Sequence, residues 1–267
     1  MKKIGMALSG GGARGIAHLG ALQALEELEV PVSSLSGTSA GAIAAAFYAA
    51  GNRPWDIMKI FKESNYFGLS HLLIGQEGVF DLEGLRELLE THIPFRRFEE
   101  LPVPIFVAAT DLTANRSFIF RSGPLIEPIL ASSCVPFIFQ PVVLEGKEWV
   151  DGGILNNFPI EPLLQHCNIV IGSHVNRLNT GVPLVHGKMS VLDRCFHMAV
   201  AAPVYEKSSA CTVFLDPPGL CSFGMFDVKK AESIFDIGYR HCMLHSKELQ
   251  SLAAETHPHG ARIPSIK

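Results

Sequence analysis

Residues 3–28 read KIGMALSGGGARGIAHLGALQALEEL. Lys3 to Ser9 predicts a first strand, and Gly10-Gly11-Gly12-Ala13-Arg14-Gly15 a turn. Ile16, Leu19, Leu22, Leu25 and Leu28 then recur every three residues among Gln23, Glu26 and Glu27, which predicts an amphipathic helix. A strand that passes through glycines into a helix is the opening unit of an α/β layer, where helices cover parallel strands.

The same alternation continues along the chain. Val32 to Ser36 predicts a short second strand. Ser39 to Ala50 is small and apolar on every side, which predicts a buried helix, stopped by Gly51 before Pro54 starts another. Further on, Ile105–Thr110 reads as a buried strand with Ser117–Phe120 as its hairpin partner, and Leu125–Ser133 as a helix. Val142–Leu144 and Glu148–Val150 flank Glu145-Gly146-Lys147 as a hairpin. Ile169–His174 and Thr212–Leu215 are later strands, and Val228–Ala253 holds one or two closing helices before a frayed end from about His257. The expectation is an α/β fold with a mainly parallel central sheet. No repeat or linker divides the chain, so residues 1–267 are read as one domain.

Composition narrows the function. With 267 residues, 48% of them hydrophobic, the chain can bury a sizeable core. A net charge of −4 and scattered Lys and Arg argue against nucleic acid and against a polybasic membrane patch. None of the six cysteines sits in a C-x-x-C pair, which argues against a zinc site or a disulfide framework and favours reduced cytoplasm. Met1-Lys2-Lys3 opens like a signal peptide, but the apolar stretch Ile4–Leu8 is too short for one. The longest apolar run, Ala40–Ala50, is about half of the roughly 20 residues that cross a bilayer.

Three glycine-rich turns carry the chemistry. The first, Gly10 to Gly15, matches G-x-G-x-x-G between a strand and a helix. A dinucleotide site would also need an acidic residue at the end of the second strand, where this chain has Ser36-Gly37-Thr38-Ser39. What stands is an anion nest, with successive N–H groups at a helix N-terminus converging on a negative oxygen. The second turn, Gly37-Thr38-Ser39-Ala40-Gly41, is a G-x-S-x-G sequence whose small residues permit a strained strand-to-helix turn exposing a serine hydroxyl. On its own it is equally an N-cap serine. The third is Asp151-Gly152-Gly153, after the strand ending Trp149-Val150; on its own it is more readily a surface hairpin acid. A serine nucleophile needs a base. Of the eleven histidines, His18 lies one turn into the first helix and reads as a packing residue, and the others sit in no turn that marks a base. Asp151 is the better marked candidate.

Together, and in this order, these motifs resemble the patatin-like phospholipase family. The resemblance runs from Ile4 to about Leu164 and thins over residues 165–267. It rests on Ser36-Gly37-Thr38-Ser39-Ala40-Gly41-Ala42 and Val150-Asp151-Gly152-Gly153, with Thr110-Asp111-Leu112, Ser133-Cys134-Val135-Pro136 and Phe139-Gln140-Pro141 in support. It implies a three-layer α/β/α sandwich and a Ser–Asp dyad with no histidine. Ser39 would be the nucleophile and Asp151 the general base. Gly10, Gly11, Gly12 and Arg14 would form the oxyanion hole, supported by Gly15, Gly37, Gly41, Gly152 and Gly153. It further implies phospholipids, lysophospholipids or related acyl lipids as substrates, with transient contact with a membrane surface and no metal or organic cofactor. A soluble-acyl esterase or thioesterase, and a catalytically silent binding module, are the competing readings. Tyr66, Phe67, Leu69, Leu72, Leu73 and Ile74 form one apolar cluster, Phe137, Ile138 and Phe139 a second, and Phe223, Met225 and Phe226 a third. They read either as an acyl pocket or lid, or as core and loop anchors.

Overall fold

The structure is a computed structural model that describes residues 2–64, 82–136, 138–178 and 188–256. The cluster at Tyr66–Ile74, Phe137 and the end from His257 lie outside the described residues.

Among the described residues eight strands form one sheet: β1 (Ile4–Leu8), β2 (Ser34–Thr38), β3 (Ile105–Asp111), β4 (Arg116–Phe120), β5 (Val142–Leu144), β6 (Lys147–Asp151), β7 (Ile169–Ser173) and β8 (Val213–Leu215). Their order is β5-β6-β3-β2-β1-β7-β8, with β4 also on β3. The pairs β3–β2, β2–β1, β1–β7 and β7–β8 are parallel, and β4, β5 and β6 add an antiparallel flank. β1, β2, β3 and β7 are buried along their whole length, as strands covered on both faces must be.

The helices are α1 (Ile16–Glu27), α2 (Ala40–Ala49), α3 (Pro54–Glu63), α4 (Glu83–His92), α5 (Ile126–Ser132), α6 (Glu161–His166), α7 (Lys188–Ser208), α8 (Ala231–Met243) and α9 (Ser246–Thr256). Side chains alternate along β1. Ile4, Met6 and Leu8 face a large core closed by α1, α2, α3, α5 and α8, while Ala7 joins Phe158, Leu163, Val170 and Val204 on the other side. The chain is therefore a helix–sheet–helix sandwich around a mainly parallel sheet, as read from its sequence.

Two differences bear on the site. The second strand runs from Ser34 to Thr38, two residues later than its apolar pattern suggested, because pairing begins at Gly5↔Ser34 and continues to Leu8↔Gly37. It therefore delivers the chain directly into Ser39. The helices α4, α6 and α7 lay hidden in polar or proline-containing sequence; α7 even contains Pro203. Among the described residues no helix is long and apolar enough to cross a membrane. In the β5–β6 hairpin, Glu145 and Gly146 both have positive φ (53° and 73°). That is the twist a two-residue loop needs.

Candidate active site

Ser39 stands between β2 and α2 with φ 53° and ψ −124°, a conformation that ordinary residues avoid. Two glycines let the chain turn there. A Cβ on Gly37 would lie 2.5 Å from the carbonyl of Gly41, and a Cβ on Gly41 would collide with Leu8 O and stand 2.7 Å from Ser9 O. The helix can thus fold back onto the strand that precedes it and onto the end of β1. The strained residue is held from outside. Ser39 N–H donates to Ser132 Oγ at 2.8 Å, and Ser132 Oγ donates to Ala108 O at 2.6 Å. The side chain of Ser39 is buried, with 8% exposure.

Asp151 is the last residue of β6 and pairs with Ala109 of β3. Three hydrogen bonds fix it. Its N–H donates to Cys134 O at 2.8 Å, and its carbonyl accepts from Thr110 Oγ1 at 3.0 Å. Its Oδ1 accepts the Gly153 N–H at 2.7 Å, and the Ser39 hydroxyl lies near enough to its carboxylate to favour the charged form. Burial pushes the Asp151 carboxyl up to about 6, against the hydrogen bonds from Ser39 and Gly153 that pull it down. A carboxylate in that range is poised to take and return a proton near neutral pH.

The first glycine turn lies beside this pair. A Cβ on Gly10 would stand 3.3 Å from Ser39 Cβ, and one on Gly15 would stand 2.5 Å from Ala40 Cβ. Gly12 has φ +56° and is covered by Met225, whose carbonyl accepts the Ala13 N–H at 2.8 Å. Met225, of the apolar cluster at residues 223–226, is thus brought onto the nest. Arg14 is buried, and its Nε donates to Gly11 O at 3.4 Å. Gly10 departs from the expected role, since its N–H donates to Asn157 O at 3.2 Å and is spent within the fold. Gly152 packs against Ala108 O and Thr38, and Gly153 against Asp151 and Asn157. Gly10, Gly15, Gly37, Gly41, Gly152 and Gly153 thus pack close to the turns of Ser39 and Asp151, and Gly11, Gly12 and Arg14 lie on the stretch between Gly10 and Gly15.

The neighbouring histidines have structural partners. His18 Nε2 lies 2.8 Å from Ser9 O, which can only accept, so Nε2 carries the hydrogen and Nδ1 accepts from Ser173 Oγ at 2.8 Å. Burial lowers its pKa to about 4, and the neutral ring ties the end of β1 to β7 beneath the nest. His174 Nδ1 is 3.1 Å from Asp216 Oδ1, and His197 Nε2 bonds Asn176 O at 3.0 Å. Among the described residues no group of three His, Cys, Asp or Glu is placed to hold a metal ion.

Several positioning residues carried no signal in the sequence. Ser132, Asn157 and Asn176 are single polar residues in apolar or irregular stretches, and only the fold brings them to the turns. Asn176 Nδ2, for example, donates to Gly10 O at 2.5 Å across 166 residues. Thr110 and Cys134 lie in the supporting stretches of the resemblance, and both hold the backbone of Asp151.

The family model described as "Patatin-like phospholipase" matches residues 6–164, more than half of the chain. An NTE family protein of Mycobacterium bovis is 33% identical over 165 residues, covering 60% of this chain and 45% of its own. Lysophospholipase NTE1 of Cryptococcus neoformans is 32% identical over 179 residues, covering 62% of this chain and 10% of its own. The chain thus spans less than half the length of these relatives. Among solved structures, VipD from Legionella pneumophila superposes with a TM-score of 0.52 at 17% identity, over 92% of this chain and 67% of its own. Human GIVD cytosolic phospholipase A2 does so with a TM-score of 0.51 at 13% identity, over 96% of this chain and 60% of its own. At those identities the likeness is one of fold.

Proposed function

The chain belongs to the patatin-like phospholipase family, and on that premise we propose that it is a lipid acyl hydrolase working through a Ser39–Asp151 dyad. One observation carries this reading. A serine in a strained strand-to-helix turn lies beside a buried carboxylate whose pKa is pushed up to about 6, next to a glycine nest.

The chemistry is acyl transfer in two halves. Ser39 Oγ attacks the ester carbonyl while its proton passes to Asp151. The carbonyl oxygen becomes an oxyanion, held by the N–H groups of Gly11 and Gly12 and by the Arg14 backbone; one such donor is worth about 3 kcal/mol. As the tetrahedral species collapses, the bond to the alcohol breaks and Asp151 returns the proton to the leaving oxygen. Water then attacks the acyl-enzyme, gives its proton to Asp151, and the fatty acid leaves as Ser39 regains its hydrogen. The residues need no metal to complete this cycle.

Apolar surface at the site supports an acyl lipid. Ile154 and Leu155, just after Asp151, are 38% and 50% exposed, and Phe226, beside the Met225 that covers Gly12, is 44% exposed. Such a rim suits an acyl chain delivered from a micelle or bilayer face. The named relative Lysophospholipase NTE1 favours a lysophospholipid among the substrate choices.

The test is a panel of phosphatidylcholine, lysophosphatidylcholine and soluble short-chain esters and thioesters, with a fluorophosphonate probe alongside. We expect fatty acid release from the lipids, a rise in rate above the critical micelle concentration, and labelling at Ser39. Turnover of soluble esters alone would point to a small-molecule esterase. No turnover and no labelling would point to a silent binding module.

A further inference from the structure

Past the end of β1, the chain that becomes the nest is still laced to the stretch leaving β7. Ser9 N–H donates to Ser173 O at 3.0 Å, Ser9 Oγ accepts the Val175 N–H at 3.1 Å, and Asn176 Nδ2 donates to Gly10 O at 2.5 Å. The first bond continues the parallel ladder of the two strands, and the next two replace it with side chains. Asn176 is buried, with 4% exposure. Gly10 O can only accept, so the atom that faces it is the amide nitrogen. The Asn176 Oδ1 is left buried without a partner among the described residues. An unpaired buried acceptor is costly, so what the fold retains at this position is the donor. The residue is mounted from outside the nest, since its own carbonyl is bonded by His197 Nε2 of α7 at 3.0 Å.

The bond matters because of the peptide that it holds. In a trans peptide the C=O of one residue and the N–H of the next point to opposite sides. With Gly10 O turned to Asn176, the Gly11 N–H is turned away from it. A Cβ on Gly11 would collide with Val175 and stand 3.1 Å from Asn176 Oδ1, whereas a Cβ on Gly10 would stand 3.3 Å from Ser39 Cβ. Residues 175–176 thus border the Gly10–Gly11 peptide on one flank and Ser39 on the other. Two consecutive glycines leave such a peptide free to rotate, so its orientation has to be chosen by a partner. The same device recurs one residue on, where Arg14 Nε donates to Gly11 O at 3.4 Å, on the peptide whose N–H belongs to Gly12. The flanking N–H groups are spent, that of Gly10 on Asn157 O at 3.2 Å and that of Ala13 on Met225 O at 2.8 Å. Among the described residues the N–H groups of Gly11 and Gly12 have no acceptor.

We propose that Asn176 is a positioning residue for the oxyanion hole, whose carboxamide locks the Gly10–Gly11 peptide with the Gly11 N–H turned toward the carbonyl oxygen that Ser39 activates. This rests on the Ser39–Asp151 reading and deepens it with a residue beyond the stretch 6–164 that the family model matches. Asn176 acts through the nest alone. A hydrogen bond accepted at Gly10 O also polarises that amide, which strengthens its N–H as a donor. A peptide oriented before the reaction stabilises developing charge without reorganising.

The experiment compares wild type with Asn176→Ala and with Asn176→Leu, which fills the space without a donor. Each is assayed on a p-nitrophenyl ester, for inhibition by an aryl trifluoromethyl ketone that forms a hemiketal oxyanion on serine, and for thermal unfolding. Each folded variant should lose about 10-fold to 10²-fold in kcat, below the about 10²-fold to 10³-fold of a donor removed outright, with KM changed only a few-fold. The ketone should bind more weakly by the same factor as kcat/KM, which a merely structural role would not produce. Amide NMR of the wild type needs no variant. On forming the ketone adduct, the Gly11 amide proton should move downfield, while that of Gly10, already bonded to Asn157 O, stays in place. Near-normal kcat in a folded variant, loss of kcat with unchanged ketone affinity, or a Gly11 amide unmoved in the wild-type adduct would each overturn the proposal. Failure of the parent reading looks different: the wild type itself would form no ketone adduct and take no fluorophosphonate label at Ser39, and this assignment would fall with it.

Discussion

Thr38 and Asp151 pair with adjacent residues of one strand, Thr38 with Ala108 and Asp151 with Ala109. β4 occupies the other edge of β3 over Val107–Asp111, so β2 and β6 must share a single edge, end to end. β2 leaves that edge at Ser39, and β6, arriving antiparallel, ends there at Asp151. β3 acts as the ruler that brings two residues 112 positions apart (151 − 39) close enough for the Ser39 hydroxyl to act on the Asp151 carboxyl. The proposed catalytic pair is thus a consequence of sheet register, and what disturbs that register should disturb the chemistry.

Ser132 is the outside support of the strained serine. Ser132→Ala leaves the buried Ser39 N–H without its acceptor, which costs about 1–3 kcal/mol, and frees the turn from Ala108 O. The expected outcome is a lower urea midpoint together with a fall in kcat larger than the stability loss explains at temperatures where the variant is folded. Ser132→Thr, which keeps the hydroxyl, should restore part of both. Unchanged kcat in folded Ser132→Ala would show that Ser39 needs no such support.

Gly41 should matter to the fold before it matters to the chemistry. A Cβ there meets the carbonyl oxygens of Leu8, the last residue of β1, and of Ser9 just after it, which are backbone atoms that cannot swing away. Gly41→Ala is expected to cost about 3 kcal/mol or more, at the upper end for overpacking. Soluble expression and thermal melting check this; a melting temperature within a degree or two of wild type would contradict the close approach.

Gly12 should behave in the opposite way. Its φ of +56° makes any side chain strained, by about 1–2 kcal/mol, and a Cβ would stand 2.6 Å from Met225 O. Gly12→Ala is expected to stay folded, with catalysis down about 10²-fold, the scale of one disturbed donor. Gly11→Ala makes a useful contrast. Gly11 has extended backbone (φ 168°), so its difficulty lies in the contact with Val175 rather than in φ. If Gly12→Ala turned over normally, the nest would not be the oxyanion hole.

Much of this was legible in the sequence, for a physical reason. β1, its glycine turn and α1, and the small-residue helix α2, are local patterns in which period, glycine and burial agree. Ser39 and Asp151 sit at turns whose composition is dictated by backbone geometry, so the marks survive in a single sequence. Partners such as Ser132 and Asn157 leave no such mark, because an isolated Ser or Asn acquires its role only through contacts made across 93 residues for Ser132 and Ser39, and 147 positions (157 − 10) for Asn157 and Gly10. β2 appeared two residues early because Val32 is apolar and Gly37-Thr38 are not, whereas pairing with β1 and β3 decides where the strand runs. The loss of the Gly10 N–H to Asn157 O was invisible for the same reason.

Asp151 should destabilise the protein in which we propose it acts as the base. Its folded pKa of about 6 is above the ordinary value of 3.8. Between those values the folded state holds more protons than the unfolded state, so stability falls as pH rises through this window and the loss is complete above it. Asp151→Asn, which can still accept the Gly153 N–H, is expected to unfold at higher denaturant than wild type at pH 8, by about 2–3 kcal/mol. The gain should shrink toward pH 4. Equal stability of the two proteins at pH 8 would mean that the carboxyl is not buried as an anion.

The most direct test of the dyad is the rate of fluorophosphonate labelling, followed by intact-mass spectrometry, in wild type, Asp151→Asn and single His→Gln variants at each of the eleven histidines. The wild-type rate should rise with pH through about 6, where Asp151 becomes the base. Because histidine titrates nearby, at about 6.5, the variants decide. Labelling should be confined to Ser39, should fall about 10³-fold or more in Asp151→Asn, and should persist in every histidine variant. Asp151→Asn labelled at the wild-type rate, or one folded histidine variant that no longer labels, would contradict the Ser39–Asp151 mechanism.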